Sequence, residues 1–150
     1  SQRLLGNLQN FNSFERHEEE PKVICGKTHD ELINLLVIGI QECIGKGFES
    51  IGVICKNRMD AEELYMKIDE MVSCKLVIDD ECEIEKGVTI IPGYMSKGLE
   101  FDAVLAFGVD SVNYTSNFDR KLLYIACTRA LHHLKLYYCG EKSKFLHKRV

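Results

Sequence analysis

Short apolar runs alternate along this chain with segments in which apolar residues recur every three or four positions. The runs KVICG (22–26), SIGVICKN (50–57), CKLVIDD (74–80), GVTIIPG (87–93), DAVLAFGVD (102–110) and LKLYYCG (134–140) each predict a strand. THDE, behind the first run, has the spacing of a capping box, with Thr28 as N-cap and Glu31 reaching back. It predicts a helix from about Asp30 to Ile44, stopped by Gly45 and Gly47. A second helix follows an Asn57 cap, with Ala61, Leu64, Tyr65, Ile68, Met71 and Val72 on one face. A third is predicted from about Asp119 to His132, where Leu122, Leu123, Ala126, Cys127, Ala130 and Leu131 form a stripe with Arg129 at its edge. Strands apolar on both faces, separated by amphipathic helices, indicate a three-layer α/β fold with a mainly parallel sheet. Residues 1–21 are polar, Asn-rich and without a sustained period. They read as a lead-in segment that adds an edge strand at most, and 22–150 as the domain proper.

Composition narrows the class. A chain of 150 residues with 45% apolar content closes one full core, and 28% charge with only two prolines argues against disorder. No apolar run approaches the ~20 residues of a membrane span, and the N-terminus lacks a signal-peptide pattern, so no membrane partner and a cytoplasmic location are expected. Ser1 stands where a start methionine is expected, which fits a piece excised from a longer chain. Seven cysteines with no CxxC pair and no clustered histidines imply neither a disulfide framework nor a metal site. They read as small buried apolar residues. The net charge of −4 disfavours autonomous tight nucleic-acid binding, which draws on a basic surface. The acidic run ERHEEE (15–20) and the basic run EKSKFLHKR (141–149) read as solvated faces.

Two constellations carry candidate chemistry. GYMSKGLE (93–100) follows a buried strand, and its residues 93–98 are expected at the carboxyl edge where parallel sheets place ligands. Gly98 permits a tight backbone approach, the amides of Ser96 to Leu99 can face an anion, Lys97 adds positive charge, and Glu100 can accept from a sugar hydroxyl or orient the lysine. The competing reading is an ordinary strand-turn-strand corner with a solvated lysine. In DRKLLYIACTRALHHL (119–134), Arg129 can pack its stem while its planar head meets a phosphate. The competing reading is a surface arginine bound to a carboxylate. His132 and His133 read as surface residues at a helix end. No GxGxxG and no GxxxxGK[ST] occurs, so the chain has no phosphate cradle of its own.

Taken in order, SKGLEFD and LLYIACTRAL resemble motifs V and VI of superfamily 1 helicases of the UvrD/Rep type, in their C-terminal RecA-like domain. SIGVICKNRMDAEEL is similar to a strand-loop-helix segment earlier in that domain, and the resemblance runs from about Lys22 to Gly140. IIPGYMSKGLEFDAVL with YIACTRALHHL resembles most the helicase IV branch, the HelD-like proteins of Gram-positive bacteria. The resemblance implies that Arg129 is an arginine finger reaching the γ-phosphate of ATP bound to a separate N-terminal RecA-like domain. Lys97 and Gly98 would lie near that phosphate, with Glu100 at the ribose or the metal-water shell. ATP and Mg²⁺ would be cofactors of the full-length protein and not of the isolated domain, which is expected to be inactive. DNA would be the track, and RNA polymerase a partner of HelD-like relatives. Where relatives commonly carry a threonine and a histidine that meet the strand, this chain has Pro92 and Tyr94. Tyr94 is left as the candidate for stacking on a base. The alternative class is a non-catalytic α/β interaction module that keeps the fold, and a third reading is a stand-alone nucleotide-binding domain.

Overall fold

A computed structural model describes residues 20–80 and 86–146 of the chain. The readings of residues 1–19, and with them most of the lead-in segment and of the acidic run, lie outside the described residues, as does the end of the basic run.

The elements are β1 (Lys22–Gly26), α1 (His29–Gly45), β2 (Ser50–Cys55), α2 (Arg58–Ile68), β3 (Lys75–Leu76), β4 (Gly87–Pro92), a short 3₁₀ turn (Gly93–Met95), β5 (Phe101–Phe107), α3 (Asn117–Cys127), β6 (Ala130–Cys139) and a last 3₁₀ turn (Lys144–Leu146). The six strands form one sheet in the order β1-β6-β5-β2-β4-β3, and every pairing is parallel. On one face α1 and α2 pack Leu32, Leu36, Ile40, Leu64 and Ile68 against Val53, Ile90, Leu105 and Tyr137. On the other, α3 packs Leu123, Ala126 and Cys127 against Ile54, Ile91, Val104 and Leu136. The result is the three-layer α/β domain expected from the alternation of the sequence.

Local signals place the helix starts. Thr28 accepts the Glu31 N–H at 3.1 Å, and Asn57 accepts the Asp60 N–H at 2.8 Å, each satisfying an amide that a first turn leaves without a partner. Ser116 and Asp119 form a complete capping box at α3, so this helix begins two residues before the predicted start.

Its end differs more. The helical stripe predicted to His132 stops at Cys127, and Ala130 already pairs with Phe101 in the sheet. No glycine or proline marks the break, and the pull of β5 on β6 overrides the helical period. As a result Arg129 lies on the two-residue turn between α3 and β6 rather than on a helix, and His132 and His133 lie on a strand. His133 is buried, tilted against Phe48 at 5.6 Å between ring centroids, so the surface reading of it is corrected. The predicted strand 74–80 shrinks to Lys75–Leu76 at the sheet edge, with one further bond from the Val77 N–H to the Ile90 carbonyl. The described cysteines divide: Cys43, Cys55 and Cys127 are buried as expected, Cys74 and Cys139 are half-buried, and Cys25 is exposed; Cys82 lies outside the described residues. No described helix is long and apolar enough to cross a membrane.

Candidate functional site

The connection from β4 to β5 positions the site. Pro92 pairs with Cys55 at the carboxyl edge of the sheet, and Phe101 pairs with Ala130 at the amino edge. Because β4 and β5 both run parallel to β2, residues 93–100 must cross the full height of the sheet. They do so without an α-helix. The landing point is fixed: the Asp102 carboxylate accepts the Glu49 N–H at 2.8 Å and the Ser50 N–H at 3.3 Å, while the Asp102 N–H donates to Ser50 Oγ at 2.9 Å.

Within the crossover, Met95 and Leu99 pack onto the α3-side core, and Ser96 is fully buried with its hydroxyl donating to the Gly93 carbonyl at 2.7 Å. The Leu99 N–H donates to the Ser96 carbonyl at 3.0 Å, closing a turn in which Gly98 has φ +86°, a left-handed conformation that costs a side-chain-bearing residue about 1–2 kcal/mol. With Met95 and Leu99 turned inward, Tyr94, Lys97, Gly98 and Glu100 are exposed. No described residue pairs with Lys97 or Glu100. The expectation that this loop occupies the carboxyl edge therefore holds for Gly93–Met95 and is corrected for its far end, which reaches the amino edge.

Arg129 meets that far end. Its Nη1 donates to the Leu99 carbonyl at 3.5 Å, its Nε to the Ile125 carbonyl at 3.1 Å and its Nη2 to Thr128 Oγ1 at 3.1 Å, while its own carbonyl accepts the Phe101 N–H at 2.9 Å. All three acceptors are neutral. Among the described residues no carboxylate meets the half-buried guanidinium, and two of its five N–H donors are left without a partner. Arg129 thus touches the 97–100 segment through Leu99. Tyr94, 54% exposed on the carboxyl edge, is not part of that group.

Two other places where an α/β domain commonly binds phosphate are unsuited to it. At the start of α1, Gly26 lies so close to Leu32 that even a Cβ would sit 2.9 Å from its backbone, and only Lys27 and Thr28 link β1 to the helix, too short a loop to wrap a phosphate. At the carboxyl ends of the strands, a cleft of about 110 Å³ is walled by His29, Asp60, Glu63 and Asp110. Burial and the neighbouring carboxylates of Glu63 and Asp110 push the Asp60 carboxyl above its ordinary range. That wall repels a polyanion. Among the described residues no group of three His, Cys, Asp or Glu side chains could hold a metal ion.

Sequence reasoning missed Thr128, the Ile125 carbonyl and the pair of Lys56 with Asp119. Lys56 Nζ lies 3.2 Å from Asp119 Oδ1 at the start of α3. Burial pushes the Asp119 carboxyl upward, but the amides of Ser116 and Thr115 and the Lys56 ammonium outweigh it and hold it at about 2. The spacing of Ser116 and Asp119 was a readable signal for the cap. Nothing in the spacing predicts the lysine.

No curated protein sequence matches the chain. The C-terminal domain of a possible DNA helicase from Lactobacillus plantarum WCFS1 superposes with TM-score 0.82 at 23% identity, over 99% of this chain and 91% of that one. The arterivirus nonstructural protein 10 helicase in complex with DNA superposes with TM-score 0.55 at 12% identity, over 79% of this chain and 28% of that one. The same arterivirus helicase without DNA gives TM-score 0.56 at 12% identity, over 95% of this chain and 33% of that one. The chain thus spans a third or less of the arterivirus helicases, and its fold is that of a RecA-like helicase C-terminal domain. Residues 87–137, which contain the whole 93–100 crossover and Arg129, match the family model of the UvrD-like helicase C-terminal domain.

Proposed function

We propose that the chain is the C-terminal motor domain of an ATP-dependent superfamily 1 DNA helicase or translocase, and that Arg129 is the arginine finger it delivers to a nucleotide held by a separate N-terminal RecA-like domain. The observation that supports this most is the state of Arg129: fixed by three neutral acceptors, opposed by no carboxylate among the described residues, and bonded to Leu99 within the Lys97–Glu100 segment. ATP with Mg²⁺, bound on the other domain, supplies the phosphoryl group and the charge to be stabilised. Arg129 contributes a preorganised planar cation at that group, and the neutral cradle leaves its field undiminished. Lys97 adds a second positive charge, Gly98 lets the backbone approach, and Glu100 accepts from the ribose or from metal-bound water. Closure of the two domains brings these residues to the nucleotide, and its loss on hydrolysis releases them, which drives a stepping cycle.

In the full-length protein, Arg129→Ala is expected to lower ATP turnover by about 10³-fold or more, with nucleotide binding less affected. Arg129→Lys restores little, because lysine keeps the charge but loses the fork. Near-normal turnover in the alanine variant would refute the assignment. The isolated chain is expected to show no turnover, and turnover abolished by Lys97→Ala in it would support the stand-alone nucleotide-binding reading instead.

The net charge of −4 and the acidic cleft favour little DNA affinity in this domain alone, with Tyr94 as its stacking contact. The HelD-like resemblance extends the proposal to a cytoplasmic motor that remodels an RNA polymerase complex through contacts outside these residues. Submicromolar, steeply salt-dependent binding of single-stranded DNA by the isolated chain contradicts the first statement. A full-length protein that unwinds duplex yet fails to bind RNA polymerase contradicts the second.

A further inference from the structure

The end of α3 shows how the Arg129 cradle is made. In an unbroken helix the Arg129 N–H would bond to the Ile125 carbonyl; here it turns to the Ala126 carbonyl at 3.2 Å. The Ile125 carbonyl is left as one of the unpaired acceptors of a helix end. Two side chains fill it. Thr128 Oγ1 donates to it at 2.9 Å and Arg129 Nε at 3.1 Å. A hydroxyl has one proton, so with that proton directed at Ile125 the Thr128 oxygen presents only lone pairs to Arg129, and it accepts Nη2–H at 3.1 Å.

We infer that Thr128 is a positioning residue for Arg129: its hydroxyl, polarised by the Ile125 carbonyl, fixes the guanidinium in the orientation that serves the nucleotide. The inference rests on the proposed role of Arg129. With Nε and one Nη2–H held by the helix end and one Nη1–H by Leu99, each terminal nitrogen retains a single donor. A donor on each terminal nitrogen is what a bidentate phosphate contact through the end of the guanidinium needs. A valine at this position keeps the shape of threonine but turns a methyl toward Nη2 and leaves part of the Ile125 carbonyl unfilled. A serine keeps both hydrogen bonds.

Two measurements test this. In the full-length protein, Thr128→Val is expected to lower kcat for ATP by about 10- to 100-fold, the scale of a mispositioned catalytic group, with KM changed little, and Thr128→Ser to retain most of the turnover. In the 150-residue chain, hydrogen exchange at Arg129 Nε–H followed by ¹⁵N NMR is expected to be slow in the native sequence and in Thr128→Ser, and about tenfold faster or more in Thr128→Val. Thr128→Ala serves as the second hydroxyl-free variant where valine perturbs the turn. Turnover and exchange in Thr128→Val or Thr128→Ala within about twofold of native, beside an inactive Arg129→Ala, would overturn the inference and leave the finger assignment standing. An active Arg129→Ala would remove the reading on which it rests.

Discussion

Replacing Gly39 of α1 by alanine should behave in opposite ways depending on one oxygen atom in β6. Tyr137 is fully buried under α1, and its hydroxyl has no hydrogen-bond partner among the described residues. A Cβ built on Gly39 runs into that hydroxyl, whereas the ring carbon behind it, Cζ, is 3.3 Å away. Gly39→Ala alone gains about 1 kcal/mol of helix propensity and loses about 1–3 kcal/mol to overpacking, a net cost of up to about 2 kcal/mol. Tyr137→Phe removes a buried polar group without a partner and is expected to stabilise by about 1–3 kcal/mol. With the oxygen gone the propensity gain survives and only the 3.3 Å contact with Cζ remains, which a shift of a few tenths of an ångström relieves, so Gly39→Ala in the Tyr137→Phe background should be neutral to stabilising. The coupling energy is therefore about 1–3 kcal/mol. Urea unfolding of the four chains, compared by midpoint at constant m, measures it. Additive effects within about 0.5 kcal/mol would refute the packing argument. Destabilisation by Tyr137→Phe would show that the hydroxyl has a partner after all.

Two further predictions follow from local chemistry. The Asp119 carboxyl is depressed to about 2 from the ~3.9 of an unfolded chain, so its contribution is fully present above about pH 4 and lost as pH falls through about 2; Asp119→Ala should cost about 1–2 kcal/mol at neutral pH and flatten stability against pH in that acid window, and an unchanged acid profile would contradict the Lys56 and capping-box account. Burial pushes the thiols of Cys55 and Cys127 far up, while Cys25 is exposed, so iodoacetamide mapped by mass spectrometry should label Cys25 in the native chain and spare the other two, and labelling of either at the Cys25 rate would place them in contact with solvent.

The fold class was legible because its signals are local. Runs such as SIGVIC and DAVLAF are apolar on both faces, and Thr28 and Asn57 announce their helices through short-range caps. The strand order was not legible, since parallel pairing is decided by tertiary contact and leaves no periodic mark. The same limit explains the overrun of α3: the sequence from Leu122 to Leu131 keeps a helical stripe, and only the pairing of Ala130 with Phe101 ends it. Arg129 and the 97–100 segment could be named from their motifs, yet their meeting at the amino edge depends on the direction of β5, which composition does not encode. Thr128 stayed hidden because a threonine beside an arginine has no distinctive spacing; its role arises from a carbonyl that a broken helix sets free.

The helix-free crossover also has a consequence in chain length. From the level of Pro92 to that of Phe101 the path covers the height of β5 and two strand spacings, about 22 Å. A 3₁₀ turn followed by a hydrogen-bonded β-turn and two linking residues reaches about 24 Å at most. The strap is nearly taut. Losing a single residue between Gly93 and Glu100 would have to be made good by unwinding a turn or dragging Leu99 away from the guanidinium, whereas one extra residue can bulge outward at the solvent-facing Lys97–Gly98 corner. Length variation among natural or designed versions of this segment should therefore be one-sided, tolerating growth and rejecting shortening.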